Sequence, residues 1–161
     1  MVDYLTALKE VKAEGKARNI GISNFTIAQV DEAVSILGKG EILTNQIEVH
    51  PFLQNRKLAE HCEQHGIQVT AFMPLAVGKV MDDPTLKQIA DAYNVTPAQI
   101  ALAWVKQRNM ITIPSSTKAR NIQSNIAAFD LVLSDSEMAE IAKLDREDRI
   151  ANPEIAPAWD E

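Results

Sequence analysis

Cysteine is almost missing from these 161 residues. Cys62 stands alone, so no disulfide forms within the chain, as expected of a protein kept in a reducing cytoplasm. Long apolar runs are also lacking: the stretch from Thr70 to Val77 is interrupted by Pro74, and no window approaches the ~20 apolar residues a membrane span needs. The opening Met1-Val2-Asp3-Tyr4-Leu5-Thr6 has neither the basic start nor the small-residue cleavage site of a secretory signal. Positive charge is in deficit. Sixteen Lys+Arg against 22 Asp+Glu leave a net charge of −6, which argues against a general nucleic-acid binder, so an anionic ligand must be held by a local basic site. What remains suffices for a core. Hydrophobic residues make up 46% and charged residues 24%, near the averages of soluble globular proteins, and the length suits one domain or part of a larger one.

Short β-branched runs alternate with longer helical stretches. Leu5, Leu8 and Val11 recur at spacing three, predicting a helix over Met1–Glu14 that Gly15 stops. Four strand–helix units follow. The strands are predicted at Asn19–Ser23, Leu43–Val49, Gln68–Met73 and Met110–Ile113, the last two ended by Pro74 and Pro114. The helices are predicted at Thr26–Leu37, Arg56–His65, a pair opened by Asp83-Pro84 and Thr96-Pro97, Lys118–Ala128, and a last one to about Leu144. Thr26/Gln29, Thr96/Gln99 and Ser134/Glu137 have the spacing of capping boxes. Residues 145–161, with Pro153 and Pro157, read as an irregular tail. Such alternation implies an α/β fold with parallel strands and right-handed crossovers. The strands read as nearly continuous apolar runs, predicting helical cover on both faces. A closed (β/α)8 barrel needs eight strands and about 250 residues. Four strands make half a barrel or a small open sheet.

Four segments, each at a strand end, carry a resemblance: Ile20-Gly21-Ile22-Ser23-Asn24-Phe25, Asn45-Gln46-Ile47-Glu48-Val49-His50-Pro51-Phe52-Leu53-Gln54, Ala71-Phe72-Met73-Pro74-Leu75-Ala76, and Ile113-Pro114-Ser115-Ser116 with Asn125 downstream. In this order and spacing they resemble the C-terminal half of the aldo-keto reductases, and among these the bacterial 2,5-diketo-D-gluconate reductases of the B type. The resemblance covers essentially the whole chain. It implies a single truncated barrel domain over residues 1–161: four parallel strands, five to eight of a (β/α)8 TIM barrel, with covering helices over residues 1–144 and a tail over 145–161. It also implies a cytoplasmic, metal-free oxidoreductase that reduces small aldehydes and ketones, keto sugar acids among them, with NADPH. By position, Ser23, Asn24 and Gln46 match the partners of the nicotinamide carboxamide, and Phe72 an aromatic stacked on the nicotinamide. Ser116 matches a serine beside the 2′-phosphate and Asn125 an asparagine at the adenine. Trp159 falls in the tail, which in the family helps to form the substrate pocket.

Residue chemistry agrees with these assignments. Barrels place their sites at C-terminal strand ends, amides and hydroxyls match a carboxamide's donors and acceptors, and an aromatic plane suits a flat ring. Ser115-Ser116-Thr117-Lys118 precedes a helix, where free N–H groups favour an anion. The match has departures. Ser115 occupies the position that commonly carries a phosphate-binding lysine, and Asn121 that of an arginine, with Arg120 one place earlier. Lys118 and Arg120 are the cations left for the phosphate.

In the family a tyrosine donates the proton, a lysine and an aspartate tune it and a histidine orients the substrate; none of the four has a matching segment here. Tyr4 and Tyr93 lie on helices, and His50 belongs to a His-Pro turn. No catalytic residue is assigned, and these residues alone are expected to be inactive. Unpaired strand edges and an apolar inner sheet face predict a homo-oligomer. Other classes stay open: a non-catalytic dinucleotide-binding or self-assembling module, and a metal-assisted hydrolase built on His61 and His65. These two histidines share one helical face at i and i+4, a spacing that can bind zinc, but no third ligand is apparent and no metal site is assigned. Cys62 reads as a small buried residue and Trp104 as helix core.

Overall fold

The structure, a computed structural model, describes residues 1–160. Helix α1 (Val2–Ala13) is followed by β1 (Ile20–Ser23), α2 (Ile27–Leu37), β2 (Ile42–Glu48), α3 (Arg56–Gln64) and β3 (Gln68–Phe72). A 3-10 segment, Ala76–Met81, leads to α4 (Pro84–Tyr93) and α5 (Pro97–Gln107). Then come β4 (Ile111–Thr112), α6 (Ala119–Ala127), a 3-10 turn at Ala128–Asp130, and α7 (Asp135–Ala142). The four strands form one parallel sheet in the order β1-β2-β3-β4. Each strand lies beside its successor, as helical crossovers between parallel neighbours require.

Local hydrogen bonding explains where the helices begin. All three capping boxes form in both directions: Thr26 with Gln29, Thr96 with Gln99 and Ser134 with Glu137. A cap of this kind contributes about 1 kcal/mol. Asp83 accepts from the backbone N–H groups of Thr85 and Leu86, both at 3.0 Å, with Pro84 at the first helical position. Two elements differ from expectation. The loop around Gly78 contains a 3-10 segment, broken where Val77 and Gly78 take φ of 53° and 90°. The fourth strand spans two residues, because Asn109 turns left-handed before it (φ 58°) and Pro114 ends the N–H ladder after it. The Ile113 N–H still donates to the Ala71 carbonyl at 3.2 Å.

The contacts divide the chain into two compact units. The first comprises residues 1–47, 56–70 and 154–160. Its core holds Leu5 from α1, Val30 and Leu37 from α2, Leu58 and Cys62 from α3, and Ile22 and Ile47 from the strands. Helix α2 packs against both α1 and α3. Strands β1 and β2 pair with a register shift between Ile20 and Gly21. A Cβ at Gly21 would stand 2.8 Å from Thr44 Cγ2, so only glycine permits this approach. The Thr44 hydroxyl donates to the Gln68 carbonyl (2.6 Å) and lies 2.7 Å from the Thr70 hydroxyl.

The second unit comprises Glu48–Asn55 and Ala71–Pro153. Its centre is α5, buried from Ile100 to Val105, with Trp104 1% exposed as helix core. The Arg108 guanidinium lies over the Trp104 ring, 4.7 Å from its centroid. Gln107 fixes Leu133 through both backbone groups, at 2.7 and 2.8 Å.

The expectation of two covered strand faces is corrected. In β1, Ile20 and Ile22 are buried whereas Gly21 and Ser23 are exposed. Leu43 on β2 is 51% exposed, and β4 alternates Ile111 out with Thr112 in. Side chains alternate across a strand, so one face of β1, of the start of β2 and of β4 is left open, whereas β3 buries Val69, Thr70 and Ala71 in succession. No helix among the described residues is long and apolar enough to cross a membrane.

Candidate functional site

In the first unit, Ser23, Asn24 and Gln46 come together. Ser23 and Gln46 are register partners across β1 and β2. The Ser23 hydroxyl donates to the Gln46 carbonyl at 3.2 Å, and the Asn24 N–H to the same carbonyl at 2.9 Å. Asn24 ends the strand in the left-handed region (φ 57°), which asparagine tolerates better than most residues. Among the described residues, neither the Asn24 nor the Gln46 side-chain amide has a hydrogen-bond partner. Two amides thus stand ready at the end of β1 and beside it on β2.

Asn45, next to Gln46 but pointing to the opposite face, holds this corner and was not foreseen. It is fully buried, its Nδ2 donates to the Phe25 carbonyl (3.1 Å), and its Oδ1 accepts the Phe25 N–H (3.4 Å). The turn after Asn24 is therefore anchored from beneath. Asn45 Nδ2 also reaches Cys62 Sγ at 3.8 Å. Burial pushes the Cys62 thiol pKa up, Asn45 opposes this and Asp160 adds to it, so Cys62 is the inert core residue that was expected. Trp159 is half-buried in the tail, and the adjacent Asp160 carboxylate accepts the Ile27 N–H at 2.7 Å, at the start of α2.

In the second unit, Phe72 closes β3 and is half-buried; its carbonyl accepts the Val49 N–H at 3.3 Å. Ser115 is exposed, and the Ser116 hydroxyl accepts the Lys118 N–H at 3.2 Å just ahead of α6. Lys118 is the N-cap of α6 and gives no side-chain cap, so the first N–H groups of the helix stay open. The Lys118 and Arg120 side chains are exposed, with no ion pair among the described residues, and Asn125 is half-buried on α6. Two free cations beside open N–H groups fit an anionic group.

Neither tyrosine is set up as a proton donor. Tyr4 packs edge-on against Phe25 (centroids 6.5 Å apart), and burial, then Glu32, pushes its pKa up. The Tyr93 hydroxyl donates to Glu137 (2.8 Å) and to the Val132 carbonyl (3.2 Å), and the bond to Glu137 pushes its pKa up. An acid tuned for carbonyl reduction needs the opposite shift.

His50 is fully buried and structural. Its Nδ1 accepts the Phe52 N–H (3.3 Å), so Nε2 carries the proton and donates to Glu48 Oε1 at 2.9 Å. The same Oε1 accepts the Ile150 N–H, and Oε2 the Ala151 N–H, both at 2.8 Å. Burial raises the Glu48 pKa, but these donors outweigh it and hold the carboxyl below its ordinary value. This clamp on the tail was not read from the sequence. The one available signal was Glu48 and His50 sharing a strand face at i and i+2.

Four parallel strands joined by helices, with polar side chains at the C-terminal end of β1 and beside it on β2, define an α/β protein. The sequence model of the Aldo/keto reductase family matches residues 1–146, and the chain belongs to this family. It is 46% identical over 159 residues to the methylglyoxal reductase DkgB of Escherichia coli O157:H7, covering 98% of this chain and 60% of that protein. To the glyoxal reductase of Bacillus subtilis it is 37% identical, covering 94% and 55%. A crystal structure assigned as a 2,5-diketo-D-gluconic acid reductase B superposes with a TM-score of 0.94 at 39% identity, over 99% of this chain and 58% of that one. A mutant of Gox0644, solved in complex with NADPH, gives 0.89 at 34% identity, over 94% and 56%. The chain thus spans 55–60% of the length of these four proteins, and its four parallel strands correspond to half a barrel.

Proposed function

We propose that these 161 residues form the cofactor-side part of an NADPH-dependent reductase of small aldehydes and ketones. The observation that carries the reading is the pair of unengaged amides, Asn24 just after β1 and Gln46 on β2 opposite Ser23. Together they offer the donors and acceptors that a primary carboxamide requires. Phe72 would stack on the nicotinamide. Ser115, Ser116, Lys118 and Arg120 would receive the 2′-phosphate, Asn125 the adenine, and Trp159 would border the substrate. The cofactor supplies the hydride. The residues present bind and orient it, and the proton donor has to come from outside these 161 residues. Small dicarbonyls such as methylglyoxal and glyoxal, named for the relatives, and keto sugar acids are the substrate classes this reading favours.

Titrating the purified chain with NADPH, followed by nucleotide fluorescence, tests it. Saturable binding weakened severalfold by Gln46→Ala and by Lys118→Ala is the expected result, without NADPH oxidation when methylglyoxal is added. Binding untouched by either substitution overturns the site, and turnover at a rate typical of the family overturns the missing donor. Exposed Leu43, Ile111 and Ile113 on the strands, with Ile122 and Ile126 on α6, favour self-association. Sedimentation should show dimers or larger species at micromolar concentration, and particles of 17.8 kDa alone would refute it.

A further inference from the structure

The cofactor reading leaves the outward faces of α2 and α3 without a role, yet they hold a cluster of a different chemistry. His61 lies in the last turn of α3 and His65 follows one turn on, its N–H still donating to the His61 carbonyl at 3.3 Å. The i and i+4 spacing is therefore held helically, and the two rings stand 4.7 Å apart. The third group, invisible in the local sequence, comes from α2: Asp31 Oδ1 lies 2.8 Å from His61 Nε2 and 3.4 Å from His65 Nε2. One ligand atom from each residue falls within 4.8 Å of the others.

We propose that Asp31, His61 and His65 form a binding site for a divalent transition-metal cation of the zinc type. In a tetrahedral site with bonds of about 2.05 Å, ligand atoms stand about 3.3 Å apart, and the two nitrogen–oxygen separations bracket that edge. Two imidazoles and one carboxylate select zinc-like ions over calcium or magnesium, which prefer all-oxygen sets. The side chains are 20%, 26% and 55% exposed for His61, His65 and Asp31, so water completes the coordination. Cys62 lies between the histidines in sequence but faces inward to Asn45 and takes no part. The bound ion joins α2 to α3, a staple outside the reductase chemistry.

The test is zinc titration of the untagged, chelator-stripped full chain by calorimetry, with cobalt as spectroscopic probe and thermal unfolding as a second readout. One zinc per chain is expected, with cobalt giving the visible bands of a low-coordinate site and zinc raising the unfolding midpoint. Asp31→Asn, His61→Gln and His65→Gln should each weaken binding at least about tenfold and abolish the thermal shift. Cys62→Ala, folded by circular dichroism, should bind as the parent does. Absence of saturable uptake overturns the proposal and leaves a plain aspartate–histidine hydrogen bond. So does binding that survives Asp31→Asn or is lost in Cys62→Ala.

Discussion

Replacing Glu48 tests the clamp on the C-terminal segment. The carboxylate is 1% exposed and accepts three hydrogen bonds, from His50 Nε2 and from the N–H groups of Ile150 and Ala151. In Glu48→Gln, one oxygen becomes an NH2 group. In either orientation this group meets a donor, so at least one charge-assisted bond is lost, a cost of about 1.5–3 kcal/mol. Glu48→Ala removes all three acceptor contacts and leaves the His50 Nε2–H and two backbone N–H groups without their acceptor, at about 1–3 kcal/mol for each that stays buried. Urea unfolding gives the total loss. Trypsin cleavage after Arg149, whose guanidinium reaches Asn55 Oδ1 at 3.2 Å, gives the part that falls on tail opening. A loss of about 2 kcal/mol confined to that opening raises the open population about thirtyfold, and cleavage tracks this population when reclosing is fast. A Glu48→Gln chain within about 0.5 kcal/mol of the parent, an effect typical of ordinary surface substitutions, and cut at the parent rate refutes the clamp.

The same carboxyl sets a pH dependence. Its folded pKa lies below the ordinary value, so its contribution is complete above the unfolded pKa of about 4.3 and is lost as pH falls through the folded value. Unfolding measured from pH 7 downward should show the parent losing this margin in acid and Glu48→Gln lacking it throughout. Gly21→Ala should destabilise by about 1–3 kcal/mol, because its Cβ would meet Thr44 Cγ2 at 2.8 Å and the Thr44 carbonyl at 3.1 Å. Adding Thr44→Ser should recover part of that loss in urea melts, since it removes the nearer atom. Asn45→Leu strips both backbone groups of Phe25 of their partner and should cost about 1–3 kcal/mol, with faster thiol labelling of Cys62 as an independent readout.

What the amino-acid order determined by itself was local. Thr26, Thr96 and Ser134 announce their helices because a capping box closes within four residues, and Pro114 bounds its strand because it lacks an N–H. Ser23, Asn24 and Gln46 were legible as candidates through the resemblance of their motifs to those of the aldo-keto reductases. The tertiary structure alone decided the rest. Ile150 and Ala151 meet Glu48 across more than one hundred residues, Asp31 meets His61 across thirty, and the exposed face of β1 follows from which side the helices cover. These pairings depend on chain closure and packing, and no pattern within a few residues encodes a partner that folding brings from so far away.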